Sequence, residues 1–424
     1  MTDVPPSSRQ GNGGERPLDG LRVIDFTRHM AGPYATVTLS DFGADVVKVE
    51  SMPVGDPSRY AGTAFIGDQA APFLIWNRGK RSIALDLRNE RGLELARGLA
   101  SEADIVIENY RPGVADAIGI GYDDLSVLNP RLIYCAVSAF GPSGPLAKLP
   151  GTDPVVQAIS GAMSVTGERD GDPVLAGIPI ADFTGAMLAV QGILLALVGR
   201  ERTGRGQKVD VSMLYGLMSA LTTRLGSYWA TGEDPQRYGS AHSTLVPFQA
   251  FRASDGQVLA GTWGGDSWPK FCRALDRPEL ADDPRFATSL DRAANRDELA
   301  RLLQKVFVMR TVAEWEQRFN AERALFAPVL SFSQILSHPH IVAAGLVQTV
   351  NHSSLGEIPQ LGPPIALSAT PPRITGPAPL FGEHTREVLA ELGLSSDEID
   401  QLVEEGVAGE SSLRDTPREV DVAT

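Results

Sequence analysis

The sequence predicts an α/β protein, with a parallel sheet in a large domain and a smaller α+β domain inserted into it. Short apolar segments of strand character alternate with helical segments through the first half of the chain, as in a parallel sheet covered by helices on both faces. In the middle of the chain this alternation gives way to a hairpin pattern followed by amphipathic helices. A length of 424 residues leaves room for about two or three domains. The large domain is therefore expected to be Rossmann-like and to be formed by both chain ends.

The first half of the chain supplies the elements of the expected sheet. Each expected strand is a short apolar run bounded by polar residues or glycine. We expect strands at 21–26, 45–50, 82–87, 104–108 and 132–138, and helices at 33–41 and 90–100. In parallel sheets ligands bind at the carboxyl ends of the strands. The loops at these ends are rich in Gly, Pro, Arg and Asn, so a ligand site is expected among them.

A long apolar helix and one further strand follow. The helix is expected at 185–200 and should end at Gly204, because glycine readily adopts the left-handed conformation of a helix C-cap. The next strand is expected at 207–212. The longest apolar run, 187–198, has about 12 residues, whereas a helix needs ~20 to span a bilayer. No membrane partner is expected.

The middle of the chain predicts the smaller domain. Two strands, 247–252 and 257–262, flank a Ser-Asp-Gly turn, which is typical of a hairpin. Helices are expected near 268–275, 297–308 and 312–320, and a late helix at 385–392 is expected to rejoin the first domain. The expected organisation is a disordered tail at 1–17, the first part of the large domain at 18–225, the small domain at 226–330, a return to the large domain at 331–407 and a flexible tail at 408–424.

The charge balance and several missing motifs exclude classes of function. The chain has 38 Lys and Arg against 52 Asp and Glu, and a net charge of −14 repels phosphate backbones, so no nucleic acid partner is expected. The dinucleotide fingerprint, the phosphate loop, the serine hydrolase elbow and the HExxH motif do not occur. Cys135 and Cys272 form no C-x-x-C pair, which predicts reduced cysteines and a cytoplasmic protein. His338 and His340 flank a proline, and no metal site is expected.

One carboxylate stands out for its setting. Asp182 lies between a glycine-rich stretch that begins at Gly151 and the long apolar helix. A helix N-terminus favours an ionised carboxylate, and the apolar neighbours Ile180 and Phe183 would limit its hydration. Such a carboxylate can act as a nucleophile toward an activated acyl group, but Asp before a helix is also a common N-cap. The residues alone leave both interpretations open.

Several stretches, taken in order and spacing, resemble the family III CoA-transferases. The resemblance covers about residues 17–407 and rests on segments 17–36 (PLDGLRVIDFTRHMAGPYAT), 39–50 (LSDFGADVVKVE), 77–87 (NRGKRSIALDL), 104–113 (DIVIENYRPG), 151–167 (GTDPVVQAISGAMSVTG), 180–188 (IADFTGAML), 202–213 (RTGRGQKVDVSM) and 379–389 (PLFGEHTREVL). The stretch 238–256 (YGSAHSTLVPFQAFRASDG) is most similar to the branch that uses succinyl-CoA with dicarboxylic acids.

The resemblance implies a covalent mechanism. In this family a carboxylate at the position of Asp182 is the catalytic residue: it attacks the donor thioester, gives a mixed anhydride and then becomes an aspartyl-CoA thioester. The acceptor carboxylate takes the CoA in turn, and glycine backbone N–H groups are expected to bind the developing oxyanions. CoA thioesters are substrates, with no tightly bound cofactor. Two chains are expected to interlock as a homodimer.

The resemblance also implies binding residues. The expected CoA contacts are Arg28, Ala31, Lys80, Arg81, Asn109, Tyr110 and Arg111, and the expected contacts of the acid substrate are Thr152, Asp153 and His242. Ser51 and Ala117 stand where a relative has arginine, so the phosphate contacts must differ here. Arg28 and Arg111 are candidates to hold the distal end of a dicarboxylate.

Alternatives remain for some of these residues and for the reaction. Asp153 precedes Pro154 and could be a helix N-cap, and His242 could be a loop histidine satisfied by backbone groups. The racemase branch of the family carries histidine at the place of Thr152, and threonine cannot act as a base near neutral pH. This difference favours CoA transfer over acyl-CoA racemisation, and a non-catalytic CoA-binding protein is the third possibility.

Overall fold

The computed structural model describes residues 16–411. Most of the expected N-terminal tail (1–17) and the part of the expected C-terminal tail beyond Ser411 lie outside the described residues. The described chain has fourteen strands: β1 Arg22–Asp25, β2 Asp45–Ser51, β3 Phe65–Ile66, β4 Gln69–Ala70, β5 Arg81–Leu85, β6 Ile105–Glu108, β7 Ile133–Ser138, β8 Lys208–Ser212, β9 Phe248–Arg252, β10 Gln257–Gly261, β11 Leu325–Pro328, β12 Val347–His352, β13 Gly356–Leu361 and β14 Ala408–Gly409.

Seventeen α-helices lie in the same described range. They are α1 Ala31–Asp41, α2 Ala71–Trp76, α3 Glu90–Ser101, α4 Val114–Ile118, α5 Tyr122–Leu128, α6 Asp153–Ile159, α7 Ile180–Thr203, α8 Met213–Ala220, α9 Thr222–Thr231, α10 Ser267–Ala274, α11 Ser289–Ala294, α12 Arg296–Phe307, α13 Val312–Glu322, α14 Phe332–Leu336, α15 Pro339–Ala344, α16 Thr385–Glu391 and α17 Ser396–Glu404.

A seven-stranded sheet organises the larger part of the chain. Its strand order is β14-β5-β2-β1-β6-β7-β8, and all pairs are parallel except β14 with β5. The expected mixed α/β fold with a mostly parallel sheet is confirmed. The flexible tail expected from residue 408 is wrong at its start, because Ala408 pairs with Leu85 and is buried at the edge of the sheet.

The two faces of this sheet bury separate cores. On one face, Val23 and Ile133 pack in a core with α1, α7 and α8. On the other face, Ile24 and Val106 pack in a core with α3, α16 and α17. Side chains along a strand alternate between faces, which explains why the strands are apolar throughout. Because helices cover both faces of the sheet, the carboxyl ends of the strands are surrounded by loops.

Helix α7 begins five residues earlier than expected. Its N-cap is Pro179, so Asp182 lies in the first helical turn and not before the helix. It ends as expected at Gly204, which has a φ of +70° and donates its N–H to the Arg200 carbonyl. The helix is long and apolar enough to cross a membrane by length and composition alone. One face, which includes Ala189 and Ile193, nevertheless packs into the core beneath the sheet.

Contacts between residues divide the chain into two compact units. Within the described range, the larger unit comprises residues 16–162, 177–223 and 343–411, and the smaller comprises 163–176 and 224–342. The expected boundaries differ in two places. Segment 163–176 joins the smaller unit because Arg237 donates to the carbonyls of Glu168 and Gly171. The return to the larger unit comes at 343 and not at 331, because β11 completes the smaller unit's sheet and two short helices follow it.

The smaller unit is an α+β assembly. Its antiparallel sheet has the order β11-β10-β9, and the β9–β10 pair is the expected hairpin. Helices α10, α12 and α13 pack on it through a buried aromatic cluster that includes Phe271, Phe307, Trp315 and Phe319.

Candidate active site

Loops at the carboxyl ends of β1, β6 and β7 enclose a pocket within the larger unit. Its volume is about 190 Å³. Seven of the residues expected to bind or react line it: Ala31, Asn109, Tyr110, Arg111, Thr152, Asp153 and Asp182. Residues from α6, α7 and α8 complete the wall, as expected for a ligand site at this edge of a parallel sheet.

Gly151 allows the segment before α6 to approach this edge. A Cβ atom at this position would lie 2.4 Å from Cβ of Ala139, which follows β7. Only glycine therefore fits against the β7 loop without displacing it. This close approach places Thr152 and Asp153 on the pocket wall beside the start of α7.

The carboxylate of Asp182 does not cap its own helix. Asp153 Oδ1 accepts the backbone N–H groups of Ala181 at 2.7 Å and Asp182 at 3.3 Å, so a residue of α6 caps α7. Asp153 Oδ2 accepts Nε2 of Gln157 at 2.7 Å. The side chain of Asp182 has no hydrogen bond to any described residue, and it lines the pocket. The N-cap interpretation of Asp182 is therefore wrong, and Asp153 takes that role.

Burial and a neighbouring negative charge alter the acidity of Asp182. Its half-buried position raises the pKa of Asp182, and the charge of Asp153 raises it further, to about 7. Desolvation disfavours the charged form of a carboxylate, and a like charge adds to that effect. A carboxylate with a raised pKa is more basic and so more nucleophilic once ionised. A substantial fraction is ionised near neutral pH.

Changing Asp153→Asn should move the pH dependence of the reaction. Asparagine can still accept the N–H groups of α7, but its loss of charge removes one of the two causes that raise the Asp182 pKa. In the wild type, kcat/KM should fall as pH drops through about 7, because the ionised form of Asp182 is lost. In the variant this acidic limb should lie at lower pH.

The measurement is kcat/KM against pH for both proteins. Asp124→Asn is the matched control, because Asp124 is an exposed carboxylate in the first turn of α5 and lies outside the pocket. Its profile should equal that of the wild type. An acidic limb that stays in place in Asp153→Asn would contradict the electrostatic coupling.

The loop after β1 is held by Asn109. Its Oδ1 accepts the Arg28 N–H and its Nδ2 donates to the Arg28 carbonyl, both at 2.8 Å. The Arg28 guanidinium lies 5.0 Å from the centre of the Tyr110 ring and 3.4 Å from Ser51 Oγ. Arg28 thus reaches toward Ser51, one of the two positions where a relative has arginine. Neither Arg28 nor Arg111 forms an ion pair with a residue in the described range.

Two expected CoA contacts, Lys80 and Arg81, are placed elsewhere, and their expected role is corrected. The Lys80 ammonium is fully buried and contacts Asp25 Oδ2 at 3.1 Å and Asn77 Oδ1 at 2.7 Å. Arg81 is held by Asp45 at 2.6 Å and by Glu391 at 2.6 Å. Lys80 is neutralised by a buried carboxylate and Arg81 by two partly exposed ones, so both cations serve the fold and neither lines the pocket.

His242 belongs to the smaller unit, whereas the pocket is formed by residues of the larger one. Its Nδ1 accepts the N–H groups of Thr244 at 3.2 Å and Leu245 at 3.1 Å, and its ring stacks on Phe248. These contacts fit the backbone-satisfied interpretation of this histidine. They require an unprotonated Nδ1, which leaves Nε2 as the ring donor.

Nine of the residues that line the pocket were not expected from the sequence. His29, Ser138 and Met213 line the cavity with Asp182. His29 has a φ of +61°, a left-handed conformation that is uncommon outside glycine, and donates its N–H to Asp56 Oδ1. His29 and Met213 follow predicted strands and Ser138 ends one, and this position was the available signal, since pocket residues collect there in a parallel sheet.

Comparisons with known proteins cover most of the chain. The family model described as CoA-transferase family III matches residues 18–385. A succinyl-CoA:glutarate CoA-transferase of Mus musculus is 36% identical over 394 residues, which cover 92% of this chain and 90% of the relative. A succinyl-CoA:mesaconate CoA-transferase of Haloarcula hispanica is 38% identical over 397 residues, covering 89% and 97%. The crystal structure of a CaiB/BaiF family protein from Brucella suis has a TM-score of 0.81 and 36% identity, and covers 89% of this chain and 100% of that one.

Proposed function

Since the chain is a member of the family III CoA-transferases, we propose that it moves CoA from succinyl-CoA to a small dicarboxylic acid through a covalent intermediate on Asp182. The observation that carries this proposal is the carboxylate of Asp182, which lines the pocket without a hydrogen-bond partner in the described chain while Asp153 caps its helix. A nucleophile must be free to reach the substrate, and this carboxylate is.

In the proposed reaction, CoA passes from the succinyl group to Asp182 and then to the acceptor acid. Asp182 attacks the thioester carbonyl of succinyl-CoA, the C–S bond breaks, and CoA leaves as a thiolate from a mixed anhydride. The thiolate attacks the aspartyl carbonyl, which frees succinate and leaves CoA on Asp182 as a thioester. The acceptor carboxylate attacks this thioester to give a second anhydride and the thiolate. The thiolate then attacks the acceptor acyl carbon, which forms the new CoA ester and restores the carboxylate.

The anionic groups of the substrates need cations inside an acidic protein. Arg28 and Arg111 are the candidates, since no described carboxylate neutralises either of them and both come from loops of this sheet edge. A guanidinium binds phosphate or carboxylate with two parallel hydrogen bonds. We assign Arg28 to the CoA phosphates and Arg111 to the distal carboxylate of the acid.

An acceptor panel tests the substrate class. Succinyl-CoA is supplied with glutarate, mesaconate, citramalate, malate or itaconate, and the new CoA ester and free succinate are measured by mass spectrometry. Transfer to at least one dicarboxylic acid, with one succinate released for each ester formed, is expected because the relatives named above transfer CoA to glutarate and mesaconate. Butyrate, which lacks the second carboxylate, is the control and should be a poor acceptor.

Two outcomes would contradict this assignment. Transfer to butyrate as efficient as transfer to the dicarboxylic acids would show that no group of the protein binds the distal carboxylate. A chiral 2-methylacyl-CoA that gains α-deuterium in heavy water without any acceptor acid would indicate an acyl-CoA racemase. His29 is the imidazole that would have to move the proton, because it lines the pocket and Thr152 cannot act as a base.

We also propose that two chains form a homodimer that covers the outer face of α7. Leu195 and Val198 are 64% and 55% exposed on this face, and Leu194 is 41% exposed. A contiguous exposed apolar stripe on a core helix is typical of an interface between proteins. The family resemblance implies interlocked chains.

Leu195→Glu should therefore weaken or abolish the dimer. A carboxylate buried at an apolar interface is left without a partner, and its desolvation opposes association. Light scattering coupled to gel filtration should give twice the 45.3 kDa chain mass for the wild type and a smaller mass for the variant. Val127→Glu, at an exposed apolar residue of α5, is the control and should leave the dimer intact. A wild-type protein that runs as a monomer would contradict the proposal.

A further inference from the structure

A second cavity lies wholly within the smaller unit. It has a volume of about 380 Å³ and is lined by residues of the loops around β10 and α11, among them Thr262, Ser267, Trp268, Ser289 and Arg292. None of these residues takes part in the transfer chemistry proposed above. Polar groups supply the larger part of the lining, and apolar side chains supply the rest.

Arg292 is a buried cation without a counter-ion. It is 8% exposed, and its Nε and Nη1 atoms donate to the carbonyls of Val246, Phe286 and Ala287. No hydrogen bond of the described structure uses its Nη2, and no described carboxylate forms an ion pair with it. The carboxylate of the adjacent Asp291 belongs to the capping box of α11. Its Oδ2 accepts hydrogen bonds from the backbone N–H and the hydroxyl of Thr288.

The cost of such an arrangement is substantial. An ionised side chain removed from water is destabilising unless it is paired, and an Arg remains charged at any ordinary pH. Three carbonyl dipoles compensate part of the charge of Arg292. The remaining donor, Nη2, belongs to a side chain that lines the cavity. An anion in the cavity would complete the coordination of the guanidinium.

Trp268 supplies an independent observation. Its side chain is 3% exposed and lines the same cavity, and the Arg292 guanidinium lies 5.0 Å from the centre of its ring. The indole Nε1 is buried and has no hydrogen-bond partner among the described residues. Buried indole N–H groups are normally paired, so Trp268 marks a wall of the cavity whose polar groups are not all satisfied within the described chain.

We propose that this cavity binds a small organic acid, whose carboxylate is held by Arg292 Nη2 beside the ring of Trp268. The planar fork of a guanidinium matches a carboxylate in shape. The remaining lining includes Leu245, Val246 and Pro269, which suit a short hydrocarbon chain better than a compact inorganic ion. The site is distinct from the pocket of Asp182 and does not depend on the transfer mechanism.

Nuclear magnetic resonance of the indole N–H groups tests the proposal on the full chain. The protein has five tryptophans, and Trp268→Phe assigns the resonance of interest. Glutarate should shift the Trp268 resonance in a saturable manner. The control in the same spectra is Trp229, which is 73% exposed on α9, does not line the cavity and should not shift with it. Sodium chloride at equal ionic strength should move neither.

A second variant tests the part played by the guanidinium. Arg292→Lys keeps the charge but loses the fork, and it should weaken glutarate binding at least ten-fold in the same titration. A Trp268 resonance that glutarate leaves in place, or that chloride shifts equally, would overturn the site. A saturable shift with inorganic phosphate but not with glutarate would overturn its assignment to organic acids. Since the titration measures binding without turnover, its failure is distinguishable from failure of the transfer activity.

Discussion

Asp182→Asn is expected to lower kcat for CoA exchange by at least about 10³-fold, because the variant removes the only group proposed to form a covalent bond with the substrates. Asparagine has nearly the same shape, and Asp153 still caps α7 in this variant, so the fold should persist. The measurement is exchange between succinyl-CoA and the best acceptor acid. Asp124→Asn, which changes an exposed carboxylate in the first turn of α5, is the control and should retain full activity.

The stability of Asp182→Asn separates loss of chemistry from loss of structure. Burial raises the pKa of Asp182 from 3.8 to about 7, so ionising it costs folding free energy. This cost is absent below about pH 4, where the group is protonated in both states, and is complete above about pH 7. The variant should thus be more stable than the wild type at pH 8, by roughly 1–3 kcal/mol after allowance for partial exposure, and equal to it near pH 4. An inactive variant that is also destabilised at pH 8 would contradict this account.

Lys80→Met should lower the free energy of unfolding by about 3–5 kcal/mol, because it leaves Asp25 in the core without its nearest cation. Lys80 and Lys48 together hold the pKa of Asp25 well below its usual range, so Asp25 remains charged in the folded protein at neutral pH. Urea denaturation measures the change. Lys305→Met, at an exposed position of α12, is the control and should change stability by no more than about 0.5 kcal/mol.

The same variants test the corrected role of Lys80. The double variant Asp25→Asn/Lys80→Met removes both charges and should be more stable than Lys80→Met alone, since no buried charge is left unpaired. Arg28→Met should instead raise KM for the CoA ester by about 10- to 100-fold with little change in stability. A stable Lys80→Met protein with a raised KM would restore Lys80 as a CoA contact.

The strands of the main sheet could be predicted from local patterns in the sequence, whereas the proposed role of Asp182 could not, because the residues alone left it open and only the family resemblance implied it. Strand β6 and helix α3 follow directly from apolar runs and helical spacing, and the six parallel strands of the sheet match the expected segments within a few residues. The start of α7 could not be placed in this way. Its cap is Asp153, which comes from a separate helix, and the pairing of Asp153 with Ala181 exists only after the chain has folded.

The ion-pair partners of Lys80 and Arg81 could not be predicted from local sequence patterns either. Lys80 and Arg81 stand in a loop-like, basic stretch, and nothing in that stretch shows whether a cation faces solvent or an internal carboxylate. The partners are Asp25 and Glu391, which are remote in sequence and meet the cations only through the sheet order. The assignment of segment 163–176 to the smaller unit could not be predicted either, because it depends on contacts with Arg237, which is remote in sequence.

The central claim, that Asp182 carries the CoA between donor and acceptor, has one most direct measurement. The protein is incubated with succinyl-CoA in the absence of an acceptor acid, digested and analysed by mass spectrometry, with hydroxylamine added to a parallel sample. The account predicts CoA in thioester linkage on the peptide that contains Asp182, conversion of that residue to a hydroxamate, and neither product in Asp182→Asn. Rapid exchange by a protein in which the adduct forms on another residue, or on none, would contradict it.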